Sequence, residues 1–178
     1  KDNINEIIAR NTFSGDIGIL SVDIDGNDYW IWNAIEVVSP RIVICEYNSL
    51  FGPTAKVSIP YQADFDRRAN NAPMGYFGAS IAALDHLGTA KGYSLVAGNS
   101  AGNNVFLVRN DCLGTLQAVS PEDAYVQAAF REDRSPDGEV DLIRFDDRRE
   151  AIDRYPIIDV TTGKQVRLSA LARPAQRK

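Results

Sequence analysis

The fold is decided by the stretch IGILSVDIDGNDYWIW, which runs from Ile17 to Trp32. Its first six residues form a dense apolar run of strand length that leads into Asp23. A run that is apolar on both faces is typical of a buried parallel strand. Gly26 allows a tight turn after this strand. We expect a helix after the turn, with Trp30 on its apolar side, and we expect Ser39-Pro40 to end that helix.

The segments on either side continue this alternation of strands and helices. Residues 2–13 and 78–91 predict helices, and the run RIVICEY from Arg41 to Tyr47 predicts a second buried strand. Two further predicted strands, Tyr93–Ala97 and Asn104–Val108, flank a turn bounded by glycines, so we expect an antiparallel hairpin. The sequence therefore predicts an α/β fold with a mostly parallel sheet that ends in an antiparallel hairpin.

Two parts of the chain do not follow this pattern. Residues 48–76 form a long connection with several prolines and glycines, and connections of this length inside a domain are usually functional or mobile. From residue 113 onward the chain changes character, and it carries no pattern from which we infer chemistry. We interpret residues 1–112 as the main unit and residues 113–178 as a C-terminal appendage.

Composition excludes several classes of function. With 19 Lys and Arg against 24 Asp and Glu, the formal net charge is −5, which argues against a generic nucleic-acid binder because such binding needs clustered cations. No window approaches the ~20 apolar residues of a membrane span, and no signal-peptide pattern is present. We therefore expect a cytoplasmic protein without membrane or nucleic-acid partners. Cys45, Cys112 and His86 are too few for a disulfide framework or a usual zinc site, so we assign no metal-ligating residues, and participation of a divalent metal stays open.

The acidic turn is the strongest candidate for a functional site. Asp23, Asp25 and Asp28 lie within six residues at the end of the predicted strand, and ligands bind at the carboxyl ends of strands in open α/β sheets. We interpret Asp28 as a helix-start residue, because the helix dipole favours an acid there. For Asp23, a functional and a structural role both stay open.

One resemblance on this turn is to the haloacid-dehalogenase-like phosphatases, whose first motif is an apolar run followed by Asp-x-Asp-Gly. It would make Asp23 the nucleophile and Asp25 the general acid/base of a metal-dependent phosphohydrolase. The sequence departs from that family, which has Thr where this chain has Asn27. Asp146-Asp147 is also a poor match to its later acidic pair, because Arg144 interrupts the apolar run before it.

A second resemblance covers about two-thirds of the chain. The segments LSVDIDGNDYWIW (Leu20 to Trp32), RIVICEYN (Arg41 to Asn48), and YFGASIAAL through KGYSLVAGNSAGNNVFLVRND (Tyr76 to Asp111) resemble the FkbM-like branch of the class I S-adenosylmethionine-dependent methyltransferases. That sheet has seven strands, with the last antiparallel and paired with the sixth. The resemblance implies that the four predicted strands are the fourth to the seventh.

The resemblance also implies an activity and a set of site residues. It implies S-adenosylmethionine as cofactor and methyl transfer to a hydroxyl of a small molecule or saccharide. Asp23 would contact the cofactor, act as the base or ligate a metal, with Asp25 and Glu46 as further catalytic candidates. Glu46 is also explained as a sheet-end acid paired with an arginine. The implied substrate contacts are Asn48, Tyr76 and Asn99, and residues 48–76 would border the substrate side.

The resemblance leaves a gap on the cofactor side. No glycine-rich strand-to-helix turn precedes Ile17, and three strands do not fit in 16 residues. Gly98 and Gly102 lie in the predicted hairpin, so they do not supply that turn. We therefore expect the carboxyl half of such an enzyme, apparently without its first three strands, which binds the cofactor poorly by itself. The third hypothesis is a non-catalytic module that completes its sheet with another chain, which makes a homodimer possible.

Overall fold

The computed structural model describes residues 1–67, 73–129, 132–134, 140–142 and 144–172. Over these ranges the chain is a mixed α/β protein with a four-stranded mixed sheet, a three-stranded antiparallel sheet and a two-stranded pair. None of the helices in the described ranges has the length and apolar character that a bilayer crossing requires. The helices are α1 (Ile4–Arg10), α2 (Asp28–Ala34), α3 (Ile81–Lys91), α4 (Pro121–Ala124) and α5 (Phe145–Ile152). The strands are β1 (Gly15–Val22), β2 (Val38–Glu46), β3 (Val57–Ser58), β4 (Tyr93–Gly98), β5 (Asn104–Arg109), β6 (Glu132–Arg134), β7 (Val140–Leu142), β8 (Ile157–Asp159) and β9 (Gln165–Val166).

The main sheet has the strand order β1-β2-β5-β4. β1 runs parallel to β2, with Val22 opposite Cys45, so the carboxyl ends of both strands lie at the same end of the sheet. β5 runs antiparallel to both of its neighbours, β2 and β4. The predicted hairpin is therefore confirmed, and its second strand lies in the sheet between β2 and the first.

β1 is the edge strand of this sheet, which the apolar run from Ile17 did not predict. Its pairing with β2 is parallel as predicted, but the prediction that it is buried is wrong for most of its length. Within the described ranges no strand pairs with its other side, and Ile19 is 60% exposed. Val22 is buried because it belongs to the core beneath α2.

The second strand begins earlier than the sequence predicts. Ser39-Pro40 was expected to end a helix, but α2 ends at Ala34 and both residues lie in β2. Pro40 fits there because the ladder to β5 begins only at Ile42, so the missing proline N–H removes no bond from that ladder. The Pro40 carbonyl accepts a hydrogen bond from the Tyr93 hydroxyl at 2.6 Å, which joins β2 to β4 across the sheet.

The main core lies between the four-stranded sheet and helices α2 and α3. Trp32 from α2, Leu84 from α3 and Leu107 from β5 are almost completely buried in it. The Ser80 hydroxyl caps α3 by accepting from the Ala83 N–H. Gly92 ends this helix in the left-handed region at φ +86°, where glycine has no steric penalty.

A second core joins the long connection to the C-terminal part of the chain. β3 pairs with β8, and β8 pairs with β9. Phe51, Ile59, Ile152 and Leu168 are buried together beside these strands. The division at residue 112 stays an interpretation of the sequence, while the described part of residues 113–172 packs into both cores.

Two glycines of the β4–β5 hairpin allow the segment around α4 to approach closely. A Cβ at Gly98 would lie 2.2 Å from the Ala124 carbonyl oxygen, and a Cβ at Gly102 would lie 2.6 Å from that of Val126. The Gly-x-x-x-Gly pattern is therefore a packing feature of the hairpin.

We expect Gly98→Ala to destabilise the protein, because its methyl group would overlap the Ala124 carbonyl. The expected loss is about 1–3 kcal/mol of unfolding free energy, measured by urea denaturation. Gly18→Ala in β1 is the control, since a Cβ there meets nothing within 4 Å. Equal stability of the two variants would contradict the close packing.

We expect the exposed edge of β1 to promote self-association, because its backbone groups are open to pairing. Ile19→Lys places a charge on that edge and is expected to reduce self-association, with a stability change within about 0.5 kcal/mol. Light scattering over a concentration series measures this. A wild-type protein that stays monomeric throughout would show that the edge does not associate.

Candidate functional site

The acidic turn after β1 is held by a buried carboxylate. Asp28, the first residue of α2, is completely buried. Its Oδ1 accepts from the Ile24 N–H and its Oδ2 from the Gly26 N–H, each at 2.9 Å. Burial raises the pKa of Asp28, the two backbone hydrogen bonds oppose that rise, and the nearby charge of Asp23 adds to it. Asp28 therefore organises the turn, as its interpretation as a helix-start residue implies.

Asp25 lies at the outer corner of this turn. Its φ is +58°, which is uncommon outside glycine, and its carboxylate accepts from Nη1 of Arg67 at 2.7 Å. The Arg67 Nε donates to the Met74 carbonyl, and the guanidinium lies 4.0 Å from the centre of the Phe77 ring. Asp25 thus positions an arginine of the long connection beside the end of β2.

Asp23 follows the last residue of β1 and is exposed. Its charge contributes to raising the pKa of both Asp28 and Glu46. Asp23 is therefore close enough to Asp28 and Glu46 for its charge to act on both carboxyl groups, and it follows the edge strand β1. Its predicted catalytic and cofactor-binding roles stay predictions.

Glu46, the last residue of β2, is the acid with the most unusual surroundings. It is 8% exposed, and its Oε2 is buried without a hydrogen-bond partner in the described part of the chain. Burial raises the pKa of Glu46 to about 8, the charges of Asp28 and Asp23 add to this, and Arg67 opposes it. Its carboxyl is therefore mostly protonated at neutral pH, and the alternative of a simple arginine-paired acid does not describe it.

A cavity of about 260 Å³ opens beside Glu46. It lies where the end of β2, the long connection, the hairpin turn and α5 meet. Its lining consists of Glu46, Tyr47, Asn48, Ser49, Leu50, Arg67, Met74, Phe77, Gly102, Asn103, Ala128 and Arg148.

Asn48 lines this cavity, but its amide is used within the protein. Nδ2 donates to the carbonyls of Gly75 and Phe77, at 2.8 and 2.9 Å, and Oδ1 accepts from the Leu50 N–H at 3.0 Å. Both amide hydrogens are therefore committed, and the side chain fixes the two ends of the long connection. The predicted substrate contact would have to displace these bonds.

The two other predicted substrate residues lie outside the lining of the cavity. Tyr76 is buried in the second core, and its hydroxyl donates to the Pro156 carbonyl at 2.6 Å. The Oδ1 of Asn99 accepts from three consecutive backbone N–H groups of the hairpin turn, at residues 102–104. Asn99 therefore shapes the turn that carries Gly102 and Asn103 into the lining, while it makes no part of the cavity wall itself.

The C-terminal part of the chain completes the cavity. Ala128 and Arg148 belong to the lining, and the segment before Ala128 is fixed to the end of β2. The Tyr47 hydroxyl donates to the Val126 carbonyl at 2.7 Å, and the Tyr125 hydroxyl donates to the Ser49 carbonyl at 2.9 Å.

Sequence reasoning missed Arg67 and Arg148. Arg67 lies in the long connection, residues 48–76, which the sequence predicts to border a substrate. No pattern in that segment singled out Arg67. Arg148 lies in a charged helix far along the chain, and no local pattern distinguishes it from its neighbours.

The cavity beside Glu46 does not fit the cofactor that the resemblance implies. The cavity is smaller than the roughly 300–1,000 Å³ that holds drug-sized ligands. The glycine-flanked turn of the hairpin is covered by residues 124–128. Within the described ranges, no group of three or more His, Cys, Asp or Glu is arranged to hold a metal ion.

Comparisons of the chain with protein-family models, curated proteins and solved structures found no match.

We expect Glu46 to make stability depend on pH. The folded protein keeps the Glu46 proton up to about pH 8, whereas its ordinary pKa is 4.5, so unfolding releases a proton between these values. The unfolding free energy should therefore fall as pH rises through this window, by on the order of 2–4 kcal/mol. Urea denaturation across the window measures it.

Glu46→Gln should remove this decrease, because glutamine cannot ionise. The exposed Glu36→Gln controls for the substitution itself. Parallel pH profiles for the wild type and Glu46→Gln would contradict the assignment of the effect to Glu46.

Proposed function

We propose that this chain forms the acceptor-binding half of a Rossmann-like S-adenosylmethionine-dependent methyltransferase, directed to a hydroxyl oxygen. The observation that carries the proposal is the sheet arrangement: two parallel strands, and a final strand antiparallel to its neighbours and paired in a hairpin with the strand before it. This agrees with the fourth to seventh strands of the family that the sequence resembles.

The edge position of β1 supports a larger sheet in the active enzyme. A strand with Ile17 and Leu20 on opposite faces is suited to burial between two parallel neighbours, but β1 has a neighbour on one side only in the described chain. We propose that the cofactor-binding strands join this edge. Asp23, at the carboxyl end of β1, would then lie between the two halves.

Methyl transfer to a hydroxyl requires the acceptor oxygen to lose its proton. Glu46 is suited to accept it, because it is buried beside a cavity and its pKa of about 8 is close to neutral pH. Only a minor fraction of Glu46 is ionised at neutral pH, but the ionised carboxylate is a stronger base than a carboxylate of ordinary pKa. Asp25 acts here as a positioning residue through its ion pair with Arg67.

The test is calorimetric titration of S-adenosylmethionine into the natural polypeptide that contains this chain, with the 178-residue chain titrated in parallel. We expect binding by the natural polypeptide, and at least about a hundredfold weaker binding by the chain alone, because the cavity beside Glu46, at about 260 Å³, is smaller than the roughly 300–1,000 Å³ of sites that hold drug-sized ligands. Absence of binding by the natural polypeptide would contradict the proposal. Equal binding by both would contradict the division between the two halves.

A further inference from the structure

Arg67 makes three separate contacts around the cavity. Its Nη1 donates to the Asp25 carboxylate and its Nε donates to the Met74 carbonyl, each at 2.7 Å. The guanidinium carbon also lies 4.0 Å from the centre of the Phe77 ring. Met74 and Phe77 line the cavity together with Arg67. One guanidinium therefore ties the acidic turn to two parts of the cavity wall.

The two members of the Asp25–Arg67 ion pair differ in their exposure to water. The Arg67 side chain is 17% exposed, whereas the Asp25 side chain is 60% exposed. Water screens an exposed charge more effectively than a sheltered one. Arg67 also lines the cavity beside Glu46, and Asp25 does not belong to that lining. The pair is neutral as a whole, but its positive member acts more strongly on the cavity.

Glu46 is the acid on which this charge acts. Burial, with the charges of Asp28 and Asp23 adding to it, raises the pKa of Glu46 to about 8. The charge of Arg67 opposes this rise in pKa, and the charge of Asp25 adds to it by a smaller amount. The order of these two effects agrees with the unequal exposure of the pair.

The other groups around Glu46 act differently. Asn104 lies opposite Glu46 in the β2–β5 ladder and carries no charge. Cys45 precedes it in β2, and burial raises the pKa of this thiol, which keeps it neutral. Arg148 of α5 is the second arginine of the lining and has interactions of its own within the protein. Arg67 is therefore the cation whose position and effect on Glu46 are both defined.

We propose that Arg67 is a positioning residue that controls when Glu46 carries a proton. It acts through its positive charge, which its contacts to Asp25, Met74 and Phe77 keep at the cavity. A cation in this location favours the ionised, basic form of Glu46, so it increases the fraction of the protein that is ready to accept a proton. The inference rests on the proposed function only in the use of that proton, since Glu46 is the proposed acceptor there.

The test is the titration of the Glu46 carboxyl, followed by NMR of the side-chain carboxyl carbons. The signal is assigned by its loss in Glu46→Gln. We expect a midpoint at about pH 8 in the wild type and a rise of about 0.5–1 pH unit in Arg67→Met, because loss of a nearby cation favours the protonated acid. Arg41→Met is the control and should leave the midpoint unchanged, since Arg41 pairs with Asp16 at the opposite end of the sheet.

Two further variants separate the charge of Arg67 from its role in holding the wall. Arg67→Lys keeps the charge and loses the planar group, and its midpoint should stay within about 0.3 pH unit of the wild type. Asp25→Asn removes the negative member of the pair and should lower the midpoint, and asparagine tolerates the positive φ at this position. If Arg67 only held the wall closed, its loss would admit water to Glu46 and would lower the midpoint in Arg67→Met.

An unchanged or lowered midpoint in Arg67→Met would overturn the inference, as would an equal rise in Arg67→Lys and Arg67→Met. A wild-type midpoint near the ordinary value of 4.5 would overturn it too, because Glu46 would then hold no proton at neutral pH. The amide spectrum of each variant is checked for folding, and Arg67→Gln replaces Arg67→Met if the latter does not fold.

The titrations contain no S-adenosylmethionine. A failure here therefore leaves the methyltransferase proposal standing, and failure of cofactor binding leaves the titration of Glu46 measurable.

Discussion

The site depends on one buried carboxylate. Asp28 accepts hydrogen bonds from the Ile24 and Gly26 N–H groups and so fixes the turn between β1 and α2. The Gly26 carbonyl then accepts from the Gly78 N–H, and the Gly78 carbonyl accepts from the Ile59 N–H. A chain of bonds therefore runs from one carboxylate to the segment that carries Phe77 into the cavity wall. Hydrogen bonds to a charged acceptor contribute roughly 1.5–3 kcal/mol each, which is enough to hold this turn.

Burial of the Asp28 carboxylate also affects Glu46, because burial raises the pKa of both acids and the charge of Asp28 raises the pKa of Glu46 further. Asp28 is buried and contributes to raising the pKa of Glu46. Asp28 begins the helix that follows β1, and Glu46 ends the neighbouring parallel strand β2, so both acids lie at the same end of the sheet. The fold therefore makes Glu46 a weak acid by placing it near other acids in a buried location. Arg67 compensates this in part, because it pairs with Asp25 and lines the cavity next to Glu46.

The C-terminal part of the chain contributes to this site as well as to a second core. Tyr125 belongs to the main core, and its hydroxyl donates to the carbonyl of Ser49, three residues after the strand that carries Glu46. Arg148 comes from α5, which packs against residues 49–51 through the second core. Substitutions in this part of the chain can therefore change the site although they lie far from the acidic turn in sequence.

The sequence by itself determined the local elements. The apolar runs that lead to Asp23 and Glu46 specify strands, and the glycine-bounded hairpin follows from short-range turn chemistry. It also identified Asp23, Asp25 and Glu46 as acids at strand ends, because strand direction places such residues at one edge. Only the tertiary structure decided that β1 lies at an edge, since burial depends on which strands are neighbours and not on the apolar pattern alone.

Tertiary structure also decided which predicted side chains are used within the protein and which residues line the cavity. Asn48, Tyr76 and Asn99 resemble ligand-binding residues in sequence, but each forms hydrogen bonds to backbone groups distant from it or across a turn. Conversely, Arg67 and Arg148 line the cavity although one comes from the long connection and the other from α5. No local pattern encodes such contacts, because they follow from the packing of whole elements against one another.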